Sequence, residues 1–198
     1  MNYARLLGLF AVVVGALMAF AGTASATTPT SPKGTAYTGT YKAEAEGTTE
    51  LHGEAFSVSC GKSVVEGNIS QHGAGLTTKG SITTLNFTEC SYSVTFLKLG
   101  TLEAHATVKG SDADGTVTST GAEFTIHGPF GINCLFQTNN TDVGTGSLTS
   151  TATTGGNATL DIGSSLIPRT GDSAFCGGFG EWTGSYRVVN PSTLYIDE

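Results

Sequence analysis

A short pattern that ends in a cysteine occurs twice in this chain and constrains its fold more than any other feature. The segment "LHGEAFSVSC" at 51–60 returns, one residue shorter, as "IHGPFGINC" at 126–134. A second segment, "FLKLGTLEA" at 96–104, resembles "VVNPSTLYI" at 188–196, and each follows the second cysteine of its half. Two echoes in the same order favour one structural unit used twice, although chance matches in a Thr- and Gly-rich chain are the alternative.

The chain contains four cysteines, an even number, and they are Cys60, Cys90, Cys134 and Cys176. In an exported protein such cysteines usually form disulfides, and four cysteines allow three pairings. If Cys60 and Cys134 are equivalent in the repeat, so are Cys90 and Cys176. The repeat therefore predicts a Cys60–Cys90 bridge and a Cys134–Cys176 bridge. A zinc site is the alternative, but the spacings include no C-x-x-C pair.

The first 26 residues have the features of a cleavable signal peptide. A short n-region carries one cation, Arg5, an apolar run spans 6–21, and Ala24-Ser25-Ala26 is a small-residue cleavage site. We therefore expect a secreted, extracellular protein that is released or loosely held at the cell envelope. After cleavage no later segment is apolar enough to span a bilayer, so an integral membrane protein is not expected.

The remainder divides into a Thr/Pro/Ser-rich flexible leader at 27–34 and a single β domain at 35–198. The repeat divides this domain into related halves of about 50–104 and 125–196. Each half is too small to bury a core well, so one continuous domain is expected rather than two.

The net charge argues against nucleic acid as a partner. It is −7 for the whole chain and −8 without Arg5, since all sixteen acidic residues follow the leader. Phosphate recognition needs clustered Lys and Arg, which this excess of acid opposes. The surface polarity comes mainly from Thr, Ser and Gly, and cell-envelope components are the candidate partners.

Alternation with a period of two predicts strands with one buried face. It occurs at 37–46, at 102–109 and again at 182–188, while turn signals recur about every ten residues. No segment of eleven residues carries a helical apolar stripe. The sequence predicts an all-β fold of about ten to fourteen short strands, arranged as an antiparallel β-sandwich, Ig-like or jelly-roll-like, with a β-barrel as the alternative.

Two histidines occupy matching places in the repeat, and each is followed by glycine. His52 and His127 could be metal ligands or a general base, but no further ligand lies at a suitable spacing. The simpler interpretation places each on the polar face at the end of a strand. No metal and no cofactor are therefore predicted.

The densest aromatic region surrounds Cys176 and supplies the candidate binding residues Trp182, Tyr186 and Phe179. These rings could stack against a sugar, but Trp182 and Tyr186 share one strand face, and core packing against a disulfide is the favoured interpretation. Among the acids, Glu181 beside Trp182 is the best candidate proton donor of a polysaccharide hydrolase.

A weak calcium candidate lies in "DADGTVTSTGAE" at 112–123. Asp112 and Asp114 occupy the first and third positions of a calcium loop, but Val117 stands where the sharp turn needs glycine. Asp-x-Asp-Gly is also an ordinary hairpin turn.

The signal peptide, the paired "F-x-V-x-C … F-T-x-C" frame and the ending "EWTGSYRVVNPSTLYID" resemble small secreted four-cysteine proteins common in actinobacteria, a group without an assigned function. The layout is also remotely similar to secreted activators of alkane oxidation. The resemblance implies an exported β protein and offers no active-site residues to carry over.

No catalytic motif for nucleophilic, metal-assisted or phosphoryl-transfer chemistry occurs in the sequence. We therefore expect a non-catalytic secreted or envelope-associated protein that acts by surface contact. The alternatives are an extracellular carrier of a small apolar ligand and a secreted polysaccharide hydrolase.

Overall fold

A computed structural model describes residues 28–31, 35–54, 56–72, 77–109, 112–138, 145–150, 158–168, 176–177 and 180–197. The predicted signal segment lies outside these residues, as does half of the predicted leader at 27–34. The described residues form fourteen strands and one short 3-10 turn. The strands are β1 (Thr28–Thr30), β2 (Gly39–Ala45), β3 (Thr49–Gly53), β4 (Ser57–His72), β5 (Thr77–Cys90), β6 (Val94–Lys98), β7 (Thr101–Lys109), β8 (Asp112–Thr120), β9 (Glu123–His127), β10 (Asn133–Gln137), β11 (Thr145–Ser150), β12 (Thr159–Pro168), β13 (Gly180–Asn190) and β14 (Tyr195–Asp197).

The strand pattern of the sequence corresponds to a buried and an exposed face in the structure. On β13, Trp182, Tyr186 and Val188 are buried, whereas the intervening Glu181 and Arg187 are exposed. Alternation of this kind sends successive side chains to opposite faces of a sheet.

Eight consecutive strand positions close into a ring. Strands β2 and β3 lie end to end along β4 and together occupy one of the eight positions of the ring. From there the antiparallel pairings run through β4, β5, β7, β8, β11 and β12 to β13, which pairs again with both β2 and β3. All ladders are antiparallel, so the prediction of an all-β antiparallel fold is confirmed.

A second group of strands, β6–β9–β10, joins the end of β12 and faces the first sheet across the core. The rings of Phe87 on β5 and Phe96 on β6 stack with centroids 5.4 Å apart. The molecule is therefore layered like a sandwich at this end and closed into a ring at the other, which accommodates both architectures that the sequence suggested.

Aromatic side chains fill the layered end of the core. Ring contacts run from Tyr186 through Trp182 and Phe87 to Phe96, with centroid separations of 5.4–6.1 Å. They continue from Phe96 to two further phenylalanines, Phe124 and Phe136. Such edge-on and offset pairs contribute about 0.5–1.5 kcal/mol each beyond the area they bury.

Both predicted disulfides are confirmed. Cys60 and Cys90 lie directly opposite each other in the β4–β5 ladder, with Cα atoms 3.9 Å apart. Cys134 on β10 is bonded to Cys176, with Cα atoms 5.4 Å apart. Two disulfides indicate an oxidising environment. No helix among the described residues is long and apolar enough to cross a membrane.

Each copy of the repeated pattern forms a β-hairpin, but the two hairpins differ in register. In the first, β3–β4, His52 pairs with Ser57; in the second, β9–β10, His127 pairs with Asn133. Ser57 stands three residues before its cysteine and Asn133 only one. The structure thus shows the same local unit in both places, while duplication of whole halves stays a prediction.

Candidate functional site

The two repeat hairpins lie against each other at the layered end of the molecule. The Phe56 ring of the first hairpin covers Gly128 of the second so closely that a Cβ at Gly128 would lie 2.6 Å from the ring. The same ring meets Tyr92 edge-on, with centroids 6.1 Å apart. The two hairpins therefore present one continuous end surface, which we call the hairpin end.

The apex of the β9–β10 hairpin is the most unusual feature of this surface. The Ile132 amide donates to the Pro129 carbonyl at 3.1 Å, and the two residues between them both have positive φ: 56° for Phe130 and 77° for Gly131. This is the conformation of a type I′ turn, whose central positions favour Asn, Asp and Gly. A phenylalanine at the first central position is an outlier that calls for an explanation.

Phe130 gains no packing to offset its backbone conformation. Its side chain is 100% exposed, compared with 55% for Leu97 and 37% for Tyr92, the other large apolar residues exposed in the described part. A non-glycine residue in the left-handed region costs about 1–2 kcal/mol. Strained residues of this kind concentrate at functional sites.

Polar groups with fixed orientations lie beside this apex. His127 Nδ1 and Asn133 Oδ1 are 2.6 Å apart, and His127 Nε2 and Thr95 Oγ1 are 3.1 Å apart. Because an amide oxygen only accepts, Nδ1 donates to it, and in the neutral ring Nε2 then accepts from the Thr95 hydroxyl. The exposed Asn133 is therefore oriented with its amide N–H groups available to a ligand.

In the first hairpin it is Nε2 of His52, and not Nδ1, that lies beside an oxygen that can only accept. Its Nε2 lies 2.8 Å from a carboxylate oxygen of Glu50, and its Nδ1 lies 2.9 Å from Ser57 Oγ. Both histidines thus lie on the outer face beside buried aliphatic residues, as the simpler interpretation expects. In the described part of the chain no three His, Cys, Asp or Glu side chains are placed to hold a metal ion.

The aromatic residues proposed for sugar stacking belong to the core. Trp182 is 5% exposed and Tyr186 is 0% exposed, so neither ring can meet a ligand at the surface. Tyr186 donates to Ser63 Oγ at 2.8 Å, and burial raises its pKa to about 12. The surface-binding interpretation of these two residues is therefore wrong, and core packing explains them. Phe179 lies outside the described residues.

Glu181 and Trp182 point to opposite faces of β13, since Glu181 is exposed and Trp182 is buried. The pairing that made Glu181 the best candidate acid is therefore absent. On the outer face it stands in register with His52 of β3.

The calcium candidate falls on a strand rather than a loop. Strand β8 begins at Asp112, which pairs with Lys109, and Asp114 pairs with Thr107. A calcium loop of twelve residues cannot be extended over its first nine positions. Asp114 therefore lies within the strand and not in the hairpin turn that the sequence suggested. The side chains of both residues lie outside the described part.

Sequence reasoning missed Phe130, although a signal was present. Pro129 and Gly131 both favour turns, and they flank Phe130 in the copy of the repeat that is one residue shorter.

No protein-family model, curated protein or solved structure matches this chain.

Proposed function

We propose that this chain is a non-catalytic extracellular protein, released or held at the cell envelope, that acts by surface contact through the hairpin end. The single observation that carries the proposal is the fully exposed Phe130 in a left-handed conformation. Such a residue weakens the fold, so its benefit must come from a contact outside the fold. Export is supported by the signal-peptide features of the first 26 residues, the two disulfides and the resemblance to secreted four-cysteine proteins.

The charges of the molecule favour an uncharged partner. Every lysine and arginine whose side chain the structure describes is ion-paired with a glutamate: Lys42 with Glu44, Lys62 with Glu89, Lys98 with Glu123 and Arg187 with Glu46. Each of these cations has a carboxylate within ion-pair distance, and the net charge of the whole chain is −7. Anionic lipid and nucleic acid both need accessible positive charge.

The groups at the apex fit a hydroxyl-rich polysaccharide of the envelope. Phe130 offers an aromatic face, and the oriented amide of Asn133, three residues further along the chain, offers hydrogen-bond donors. A binding surface that combines apolar anchors with a few fixed polar groups is typical of specific recognition.

The test is cosedimentation of the purified mature protein with insoluble cell-wall material from the producing organism. We expect saturable binding by the wild type and a loss of at least about ten-fold in affinity for Phe130→Asn, the equivalent of about 1.4 kcal/mol. Leu97→Asn is the matched control, since Leu97 is exposed but lies on β6 away from the apex; it should bind like the wild type.

The proposal fails if the wild type does not sediment with the wall, or if Phe130→Asn binds as well as the wild type does. Broad hydrolase and oxidase assays on the same preparation should show no turnover. Reproducible turnover would contradict the non-catalytic part of the proposal.

A further inference from the structure

The inner wall of the closed ring has a recurring arrangement at the end opposite the hairpins. In each of two cross-strand rows a glycine stands between two larger residues: Tyr41–Gly67–Ile82 and Ile69–Gly80–Leu102. Residues that pair directly in an antiparallel ladder share a face. Because Ala43 and Val65, two residues along from the first row, are buried, this face is the inner one.

The glycines leave the wall without a side chain at the middle of each row. Glycine inside a strand weakens the strand, and it often marks a place where another group approaches the backbone closely. A Cβ at Gly67 would collide first with the carbonyl oxygen of Ser81 on the neighbouring strand, and it would also lie 2.6 Å from the Tyr41 Oη and 2.7 Å from the Tyr41 Cε1. The Tyr41 ring therefore lies along the wall rather than across the ring of strands.

The inner residues at this end are less buried than those at the layered end. The larger members of the two rows are half-buried apart from Ile82, namely Tyr41, Ile69 and Leu102. The inward residues Phe87, Trp182 and Tyr186 at the layered end are at most 8% exposed. Among the side chains that the structure describes, the apolar inner wall is thus less tightly covered in these rows than at the layered end.

One polar atom on this wall lacks a partner. The Tyr41 Oη is buried and forms no hydrogen bond with any described residue, and burial raises the Tyr41 pKa. A buried hydroxyl without a partner is unfavourable by about 1–3 kcal/mol. The Tyr41 hydroxyl therefore stays protonated and can donate a hydrogen bond to a ligand.

We propose that this end of the ring binds one small, neutral, largely apolar molecule. A hydrogen-bond acceptor of this molecule, such as a ketone oxygen, accepts a hydrogen bond from the Tyr41 hydroxyl. Closed rings of eight strands are of a size that can hold one small ligand. Apolar walls with a single placed polar group are typical of such sites. The row residues named above carry no charge, which favours a neutral ligand. The proposal does not depend on the proposed function, because the rows lie away from the hairpin end.

The test uses two fluorescent probes that differ in the acceptor. The first is 6-propionyl-2-dimethylaminonaphthalene, which has one ketone oxygen, and the second is 2-dimethylaminonaphthalene, which lacks it. The mature wild-type protein should bind one molecule of either probe with blue-shifted emission. Tyr41→Phe should weaken binding of the ketone probe about ten-fold and that of the second probe less than two-fold. The melting temperature of Tyr41→Phe should be unchanged or higher, since the lost hydroxyl has no partner in the described part.

A second variant tests the location independently. Leu102→Trp should abolish binding of both probes by filling the inner wall, while the exposed-site control Leu97→Asn should leave both unchanged. The proposal is overturned if the wild type shows no saturable binding. It is also overturned if Tyr41→Phe affects both probes equally, or if Leu102→Trp still binds them at the wild-type affinity.

Discussion

The two repeat hairpins share one sequence pattern but use their phenylalanines in opposite ways. In the first hairpin, Gly53 N–H donates to the Phe56 carbonyl at 2.9 Å, so Phe56 stands at the base of the turn and its ring covers the neighbouring hairpin. In the second, Phe130 stands at the apex and is fully exposed.

The difference follows from loop length. The second copy is one residue shorter between glycine and cysteine, and its turn forms one residue later relative to the glycine. Loop length and turn type fix the register of a hairpin, so this small change moves the phenylalanine from the base to the apex. A repeated sequence pattern therefore predicts a repeated local unit, but not the same role for each residue.

The disulfides that hold the two hairpins should give the largest effects. Replacing Cys60 and Cys90 together, or Cys134 and Cys176 together, by alanine should lower the free energy of unfolding by about 3–4 kcal/mol in each case. The bridges close segments of 30 and 42 residues, so the loop-entropy account predicts nearly equal costs. Urea titration of both double variants checks this. A loss of less than about 1 kcal/mol for either pair would contradict it.

The core behind the first hairpin should make the protein sensitive to alkali. An unfolded tyrosine has a pKa of about 10, and burial raises that of Tyr186 to about 12. Between these values the folded protein keeps a proton that the unfolded chain releases, so the free energy of unfolding falls as the pH rises, by about 2–3 kcal/mol in total. This contribution is fully present below pH 10.

Comparison of the wild type with Tyr186→Phe by urea titration at pH 8 to 12 isolates this contribution. The variant should lose stability less steeply through that window. Parallel curves for the two proteins would show that Tyr186 titrates normally in the folded state.

The matching glycines of the two hairpins should respond differently to alanine. A Cβ at Gly128 would lie 2.6 Å from the Phe56 ring, whereas at Gly53 the nearest atom would be 3.4 Å away. The backbone of Gly128 is extended, with φ −83°, so only the collision matters. Gly128→Ala should cost about 1–3 kcal/mol. Gly53→Ala should change the free energy of unfolding by less than about 1 kcal/mol. Equal effects in thermal unfolding would contradict the asymmetry between the hairpins.

Much of the fold was predictable because its signals are local. Alternation along Trp182, Gly184 and Tyr186 indicated a strand with one buried face, and the repeat selected the disulfide pairing. The closure of the ring depends on pairings between distant strands, such as β13 with β2, and no local pattern encodes these.

The candidate site was less predictable. Aromatic density directed attention to Trp182 and Tyr186, but apolar rings at strand spacing usually pack inside, as they do here. Phe130 was not singled out because it occupies the same place in the repeated pattern as Phe56. Only the register of the second hairpin, which the sequence pattern does not fix, places it at the apex.

The central claim is that Phe56 belongs to the fold whereas Phe130 serves a contact outside it. The most direct measurement is the free energy of unfolding of Phe130→Asn and Phe56→Asn against the wild type. Asparagine tolerates the left-handed conformation of the apex, so Phe130→Asn should raise the free energy of unfolding by about 1 kcal/mol. Phe56→Asn should lower it by about 2 kcal/mol through lost packing on Gly128 and Tyr92. If Phe130→Asn lowers the stability instead, Phe130 supports the fold and the claim is contradicted.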